Sequence, residues 1–133
     1  MKLLKNMRSM SSLIIKGDRK IPMKKNMMRV RGNQVYKLKD VKDFEKWLAW
    51  TAAAAVREQE WVITDKPVKL SLDVVFGDRR RRDLQNCFAS VCDALNKIVY
   101  EDDAQIEMLV ASKKYVKSEW SFILEIEVVD EVT

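Results

Sequence analysis

Apolar and polar residues change period along the chain, and each change marks an element. Val68, Leu70, Leu72, Val74 and Phe76 alternate with Lys69, Ser71 and Asp73, the two-residue period of a strand with one buried face. Upstream, Phe44, Trp47, Leu48, Thr51, Ala54 and Ala55 recur at spacings of three and four, which predicts a helix over about 41–60 with Asp40 as its N-cap. Downstream, Leu84, Phe88, Val91, Cys92, Leu95 and Ile98 form a second helical stripe, predicting a helix over about 85–97.

Shorter signals complete the pattern. The apolar run SLIIK at 12–16 precedes Gly17-Asp18 and reads as a first strand. RVRG and NQVYKL, between 29 and 38, could pair as a small hairpin within a basic loop broken by Pro22 and Gly32. Residues 105–115 and 119–129 read as two strands, the second alternating Trp120, Phe122, Leu124, Ile126 and Val128 with Ser121, Glu125 and Glu127; the short KSE link predicts an antiparallel hairpin. The order strand, helix, strand, helix, strand, strand predicts a two-layer α+β fold, helices on a mixed sheet, in a single domain spanning 1–133.

Composition agrees with an ordered domain and adds a polarity. Of 133 residues, 47% are hydrophobic and 34% charged, with three Gly and two Pro. The net +5 is unevenly spread: residues 1–39 carry twelve Lys/Arg against Asp18, or +11, and residues 40–133 carry thirteen against nineteen acids, or −6. Concentrated cationic charge favours a polyanionic partner such as nucleic acid. The leader 1–11 is basic, with two readings open: a flexible terminus or a weak amphipathic arm. No secretory core or membrane-spanning run follows it, so a cytoplasmic protein without a membrane partner is expected.

Cys87 and Cys92 lie five apart on one predicted helix, about 140° around its axis, and are not expected to pair. With no His and no CxxC in the chain, a zinc site is excluded, and any metal falls to oxygen ligands, hence magnesium or manganese.

The residues able to carry chemistry lie between 78 and 105. Arg79, Arg80, Arg81 and Arg82 join the end of the predicted central strand to Asp83. Such a run is either a solvated loop or a set of guanidinium forks for phosphate. Asp83 can cap the second helix or act as a ligand. Glu101, Asp102 and Asp103 form either a solvated acidic turn or, if the fold returns them to Asp83, a cation site. Asn86 can hold the loop or reach a ligand, and Trp47, Trp50, Trp61 and Trp120 can stack on bases, although Trp47 and Trp120 fall on apolar faces that favour the core.

Together these residues carry a family resemblance. RRRRDL at 79–84, Asn86, Asp93-Ala94-Leu95 and Asp102-Asp103-Ala104-Gln105 resemble in order the basic run, D-L-D-N, D-A-L and W-x-D-D-x-Q segments of RusA-type Holliday junction resolvases, and Ile21-Pro22-Met23-Lys24-Lys25-Asn26 resembles their basic loop more loosely. The resemblance implies a homodimer that binds four-way DNA junctions and cuts them with magnesium, using three aspartates and a lysine per subunit. It carries over Asp83 and Asp103 as catalytic metal ligands; on that reading Asp102 is expected to assist them, and Lys24, Lys25, Arg79–Arg82 and Asn86 to contact DNA. Two family positions are degenerate: Gln85 stands where the family has an aspartate, and Ala89 where it has the lysine. Gln85 removes a negative charge from a hard-cation site and Ala89 an ammonium from the phosphate, so impaired cleavage is the alternative expectation.

Overall fold

The computed structural model describes residues 12–22 and 35–129. Its elements are β1 (Ser12–Gly17), α1 (Val35–Glu58), β2 (Val68–Phe76), α2 (Leu84–Leu95), a 3₁₀ turn (Asp103–Gln105), β3 (Ile106–Tyr115) and β4 (Ser121–Val128). The four strands form one mixed sheet in the order β1-β4-β2-β3, antiparallel except for the parallel pair β2 and β3. The α+β class and the element order are as the residue pattern predicts.

One face of the sheet carries both helices. Leu13 and Ile15 of β1, Val68, Leu70, Leu72, Val74 and Phe76 of β2, and Phe122, Leu124 and Ile126 of β4 are buried there against Phe44, Leu48, Ala52 and Ala55 of α1 and Cys87, Phe88, Val91, Ala94 and Leu95 of α2. The alternation in β2 is therefore the alternation between core and outer face. β3 departs from it: Met108, Leu109 and Val110 are about half exposed, because β3 is an edge strand that the helices leave largely uncovered.

Three expectations are corrected. The first helix begins at Val35, so Val35–Leu38 of the supposed hairpin are helical and Asp40 lies inside the helix rather than capping it; the RVRG half falls outside the described residues. The second helix ends at Leu95, two residues before the expected Lys97. The strands β3 and β4 do not form a hairpin with each other: both pair with β2, on opposite sides. The Val116 N–H donates to the Phe76 carbonyl (3.0 Å) and the Ser118 N–H to the Gly77 carbonyl (2.9 Å), carrying the link over the end of β2 and delivering β4 to its far side. Cys87 and Cys92 form no disulfide, as their spacing requires. No helix among the described residues is long and apolar enough to cross a membrane.

Candidate active site

The arginine run leaves the end of β2 and enters α2. Asp83 is the α2 N-cap, in extended conformation, its Oδ1 accepting from the Gln85 N–H at 3.0 Å. Its capping role is thus realised, which fixes the carboxylate at the mouth of the helix. Gln85 and Ala89 are exposed on α2 and, being four apart, share one helix face. Asn86 is half-buried in the first turn, its backbone N–H donating to the Asp83 carbonyl.

The four arginines do different things. Arg79, Arg80 and Arg81 are exposed, and the Arg79 guanidinium lies over the Tyr115 ring, 4.2 Å from its centroid. The Arg82 side chain is only 15% exposed. It donates to both carboxylate oxygens of Asp78, with Nη2 to Oδ2 at 3.3 Å, and packs over Phe76 and Trp120 at 5.2 and 5.0 Å. The Arg82 hydrogen bond, aided by the Arg80 N–H, holds the Asp78 carboxyl below its ordinary pKa despite some desolvation. Arg82 is therefore first a clasp that closes the loop onto the sheet, leaving Arg79–Arg81 as its outward cations.

A fifth cation, which the residue pattern gave no reason to single out, stands behind this loop. Lys113 of β3 donates from Nζ to the Arg82 carbonyl at 3.0 Å. Cys87, one turn into α2, has its thiol pushed up to about 11 by burial, offset in part by Arg82 and Lys113 and reinforced by Asp83.

The acidic turn lies elsewhere. Asp102 caps the 3₁₀ turn, accepting from the Ala104 N–H at 2.9 Å, while Gln105 Oε1 accepts from the Asp102 N–H at 2.9 Å. Gln105 Nε2 donates to the Thr64 and Lys66 carbonyls (2.9 and 2.8 Å), pinning the turn to the segment that precedes β2. Asp103 is half-buried near Tyr100, whose hydroxyl donates to the Cys92 carbonyl at 2.9 Å. Burial first, then Cys92 and Asp103, pushes the Tyr100 hydroxyl far above its ordinary range.

Asp83 and Asp103 consequently stand at opposite ends of α2. The helix has twelve residues, about 18 Å at the standard rise. The same span is read along β3: Lys113 reaches the Arg82 carbonyl, whereas Asp103 precedes Ile106 at the strand's start, about 20 Å away at strand rise. The expectation that the chain returns 101–103 to the neighbourhood of Asp83 is corrected. A parallel strand-helix-strand crossover starts its helix at one end of the sheet and its second strand at the other. In keeping with this, no group of three or more His, Cys, Asp or Glu that could hold a metal ion occurs among the described residues. Within one chain, the expected ligands do not fit a magnesium ion.

The basic loop 18–22 lies against α2, its Pro22 carbonyl accepting from the buried Ser90 Oγ at 2.6 Å. Lys20 lies over the Trp120 ring at 4.4 Å and Arg19 over Trp47 at 4.1 Å. Trp47 and Trp120 are half-buried against the core, Trp61 is buried with Nε1 donating to the Val99 carbonyl, and Trp50 is exposed. Lys24 and Lys25 lie outside the described residues.

Residues 19–128 match the family model of endodeoxyribonuclease RusA. The chain belongs to the RusA endodeoxyribonuclease family. RusA enzymes are Holliday junction resolving endonucleases that act on branched DNA and depend in general on divalent metal. No curated protein matches the chain. The RusA match spans the arginine run, α2 and the acidic turn together.

Proposed function

We propose that this RusA-family chain is a structure-selective endonuclease that binds four-way DNA junctions and cuts them by phosphodiester hydrolysis in recombination and repair. The observation that carries the reading is the outward row Arg79–Arg81 anchored beside the Asp83 carboxylate by the Arg82 clasp. Guanidinium groups so held meet backbone phosphates without reading sequence, as selection for branch shape requires. Lys24, Lys25 and Asn86 extend the contact.

The working unit is a homodimer. One chain keeps Asp83 and Asp103 apart, and β3 offers an exposed apolar edge, Met108, Leu109 and Val110, of the kind that pairs with another strand. Two copies meeting antiparallel along Met108–Val110 bring the Asp103 end of one β3 toward the Asp83 end of the other. Magnesium, or manganese, is the proposed cofactor, with Asp83 of one copy and Asp103 of a second as ligands and Asp102 holding the turn.

Exposed Gln85 and Ala89 favour a second reading, a junction-binding protein with impaired cleavage. Incubation with a synthetic four-way junction and magnesium separates the two. Paired, symmetric nicks are expected of the nuclease; bound but intact strands at saturating protein establish the second reading, and equal binding of junction and linear duplex rejects both.

A further inference from the structure

Between the arginine loop and the end of β3 lies a cavity of about 320 Å³, lined by Arg79, Arg80, Arg81, Lys113, Lys114 and Tyr115 together with the Phe76–Asp78 corner and Arg82. Six cations face one space that holds a single carboxylate, Asp78, and that carboxylate is already paired with Arg82. Unpaired like charges concentrated around a cavity repel one another, and the arrangement is relieved when an anion enters.

Two details make this a formed site rather than a solvated face. Lys113 and Lys114 are consecutive residues of a strand and project to opposite faces of the sheet, yet both line the cavity, because β3 is the edge strand and the space wraps around it. The Lys113 ammonium is also held in place, spending one of its three donors on the Arg82 carbonyl at 3.0 Å and keeping two for an anion. On the opposite wall Arg79 rests on the Tyr115 ring, which restrains its guanidinium at the rim.

We infer that this cavity is a phosphate site for the DNA backbone, in which Lys113 and Lys114 at the end of β3, beyond the Met108–Val110 segment, join Arg79–Arg81 to grip a strand as it passes toward Asp83. The inference rests on the DNA-binding reading above and adds to it two lysines and a path. Lys113 stands close to the helix mouth, its Nζ on the Arg82 carbonyl next to the Asp83 cap.

The test is junction binding by the full-length protein over a series of salt concentrations. The variant Lys113→Gln/Lys114→Gln loses two phosphate contacts, so the slope of log affinity against log salt falls by about 1.8. The affinity gap between parent and variant narrows by about tenfold as salt rises from 50 to 200 mM, the change expected for two contacts. Lys117→Gln, an exposed lysine of the next turn outside the cavity, keeps the parent slope. Because Lys113→Gln alters a loop anchor, Lys114→Gln alone serves as the second variant, and a fall of about 0.9 is expected. Parent-like slopes in both variants, or an equal fall in Lys117→Gln, overturn the inference. The preference for junction over linear duplex is read in the same titrations. Its absence removes the resolvase reading while the lysine-dependent slope on duplex leaves the phosphate site standing.

Discussion

Asp83 and Asp103 are separated by the whole length of α2, the one capping its N-terminus and the other lying beyond its end beside Tyr100. If catalysis needs both, each centre takes them from different chains. Asp83→Asn and Asp103→Asn are each expected to be inactive alone. Mixed dimers formed from the two carry one intact pairing and one doubly damaged, and so nick a single strand of a junction. Gel analysis of nicked products checks this, in the Gln85→Asp/Ala89→Lys background; mixed dimers that leave the junction whole would sink the shared centre.

That background is itself a prediction. Gln85 and Ala89 are exposed on α2 and the cap bond comes from the Gln85 backbone N–H, which a side-chain change keeps, so Gln85→Asp/Ala89→Lys leaves the melting midpoint within about 3 °C of the parent. Single-turnover cleavage of a synthetic junction rises about a hundredfold, the scale of restoring one positioned charge to a phosphoryl or acyl transition state. An unchanged rate shows that these two positions do not limit the enzyme.

Adjacent arginines are expected to separate by phenotype. Arg82→Ala removes the Asp78 clasp and the packing on Phe76 and Trp120, and lowers the melting midpoint by about 5 °C. Arg81→Ala leaves the midpoint unchanged and lowers the salt slope of junction binding by about one unit. The clasp also carries a pH dependence. Asp78 has its folded pKa lowered, so its contribution is present above the ordinary value of 3.8 and is lost as the pH falls through the lowered value. Thermal melts of parent and Arg82→Ala converge in that acid range.

At the alkaline end, Cys87 responds first. Its folded pKa is raised from 9.0 to about 11 by burial, so the unfolded chain gives up the thiol proton first. Its contribution is complete below 9.0 and is lost as the pH rises toward about 11, on the order of 2 kcal/mol. Tyr100 shifts in the same direction. Denaturant titrations across that window record the loss, and Cys87→Ala removes the Cys87 part. In the native protein Cys87 stays unreactive to a thiol reagent at neutral pH while half-buried Cys92 reacts first.

The legible parts of this fold are those where a period fixes a face. The β2 alternation and the α2 stripe each name their buried side, and both survive in the structure. Periodicity does not name a partner, so β3 and β4, adjacent in sequence and joined by a short link, read as a hairpin although each pairs with β2. The same gap concealed the distance between Asp83 and Asp103, which follows only once β3 is known to run parallel to β2. Asp40 resembled a cap because capping residues also occur inside helices whose first turns are less regular in pattern. Lys113 carried no motif; its place beside Arg82 comes from the strand register alone, where it pairs with Val74.

β4 is the last strand in chain order, yet it lies inside the sheet, hydrogen-bonded to β1 on one side and β2 on the other. During synthesis β1 therefore waits, without a strand partner among the described residues, for residues more than a hundred positions later. Closure over so long a loop is entropically late and slow. Until Phe122, Leu124 and Ile126 emerge, the apolar faces of β1 and α1 stay open to solvent and to other chains. The nascent protein thus acquires its sheet in one late step, and a ribosome stalled before β4 holds an open half-sheet prone to aggregate.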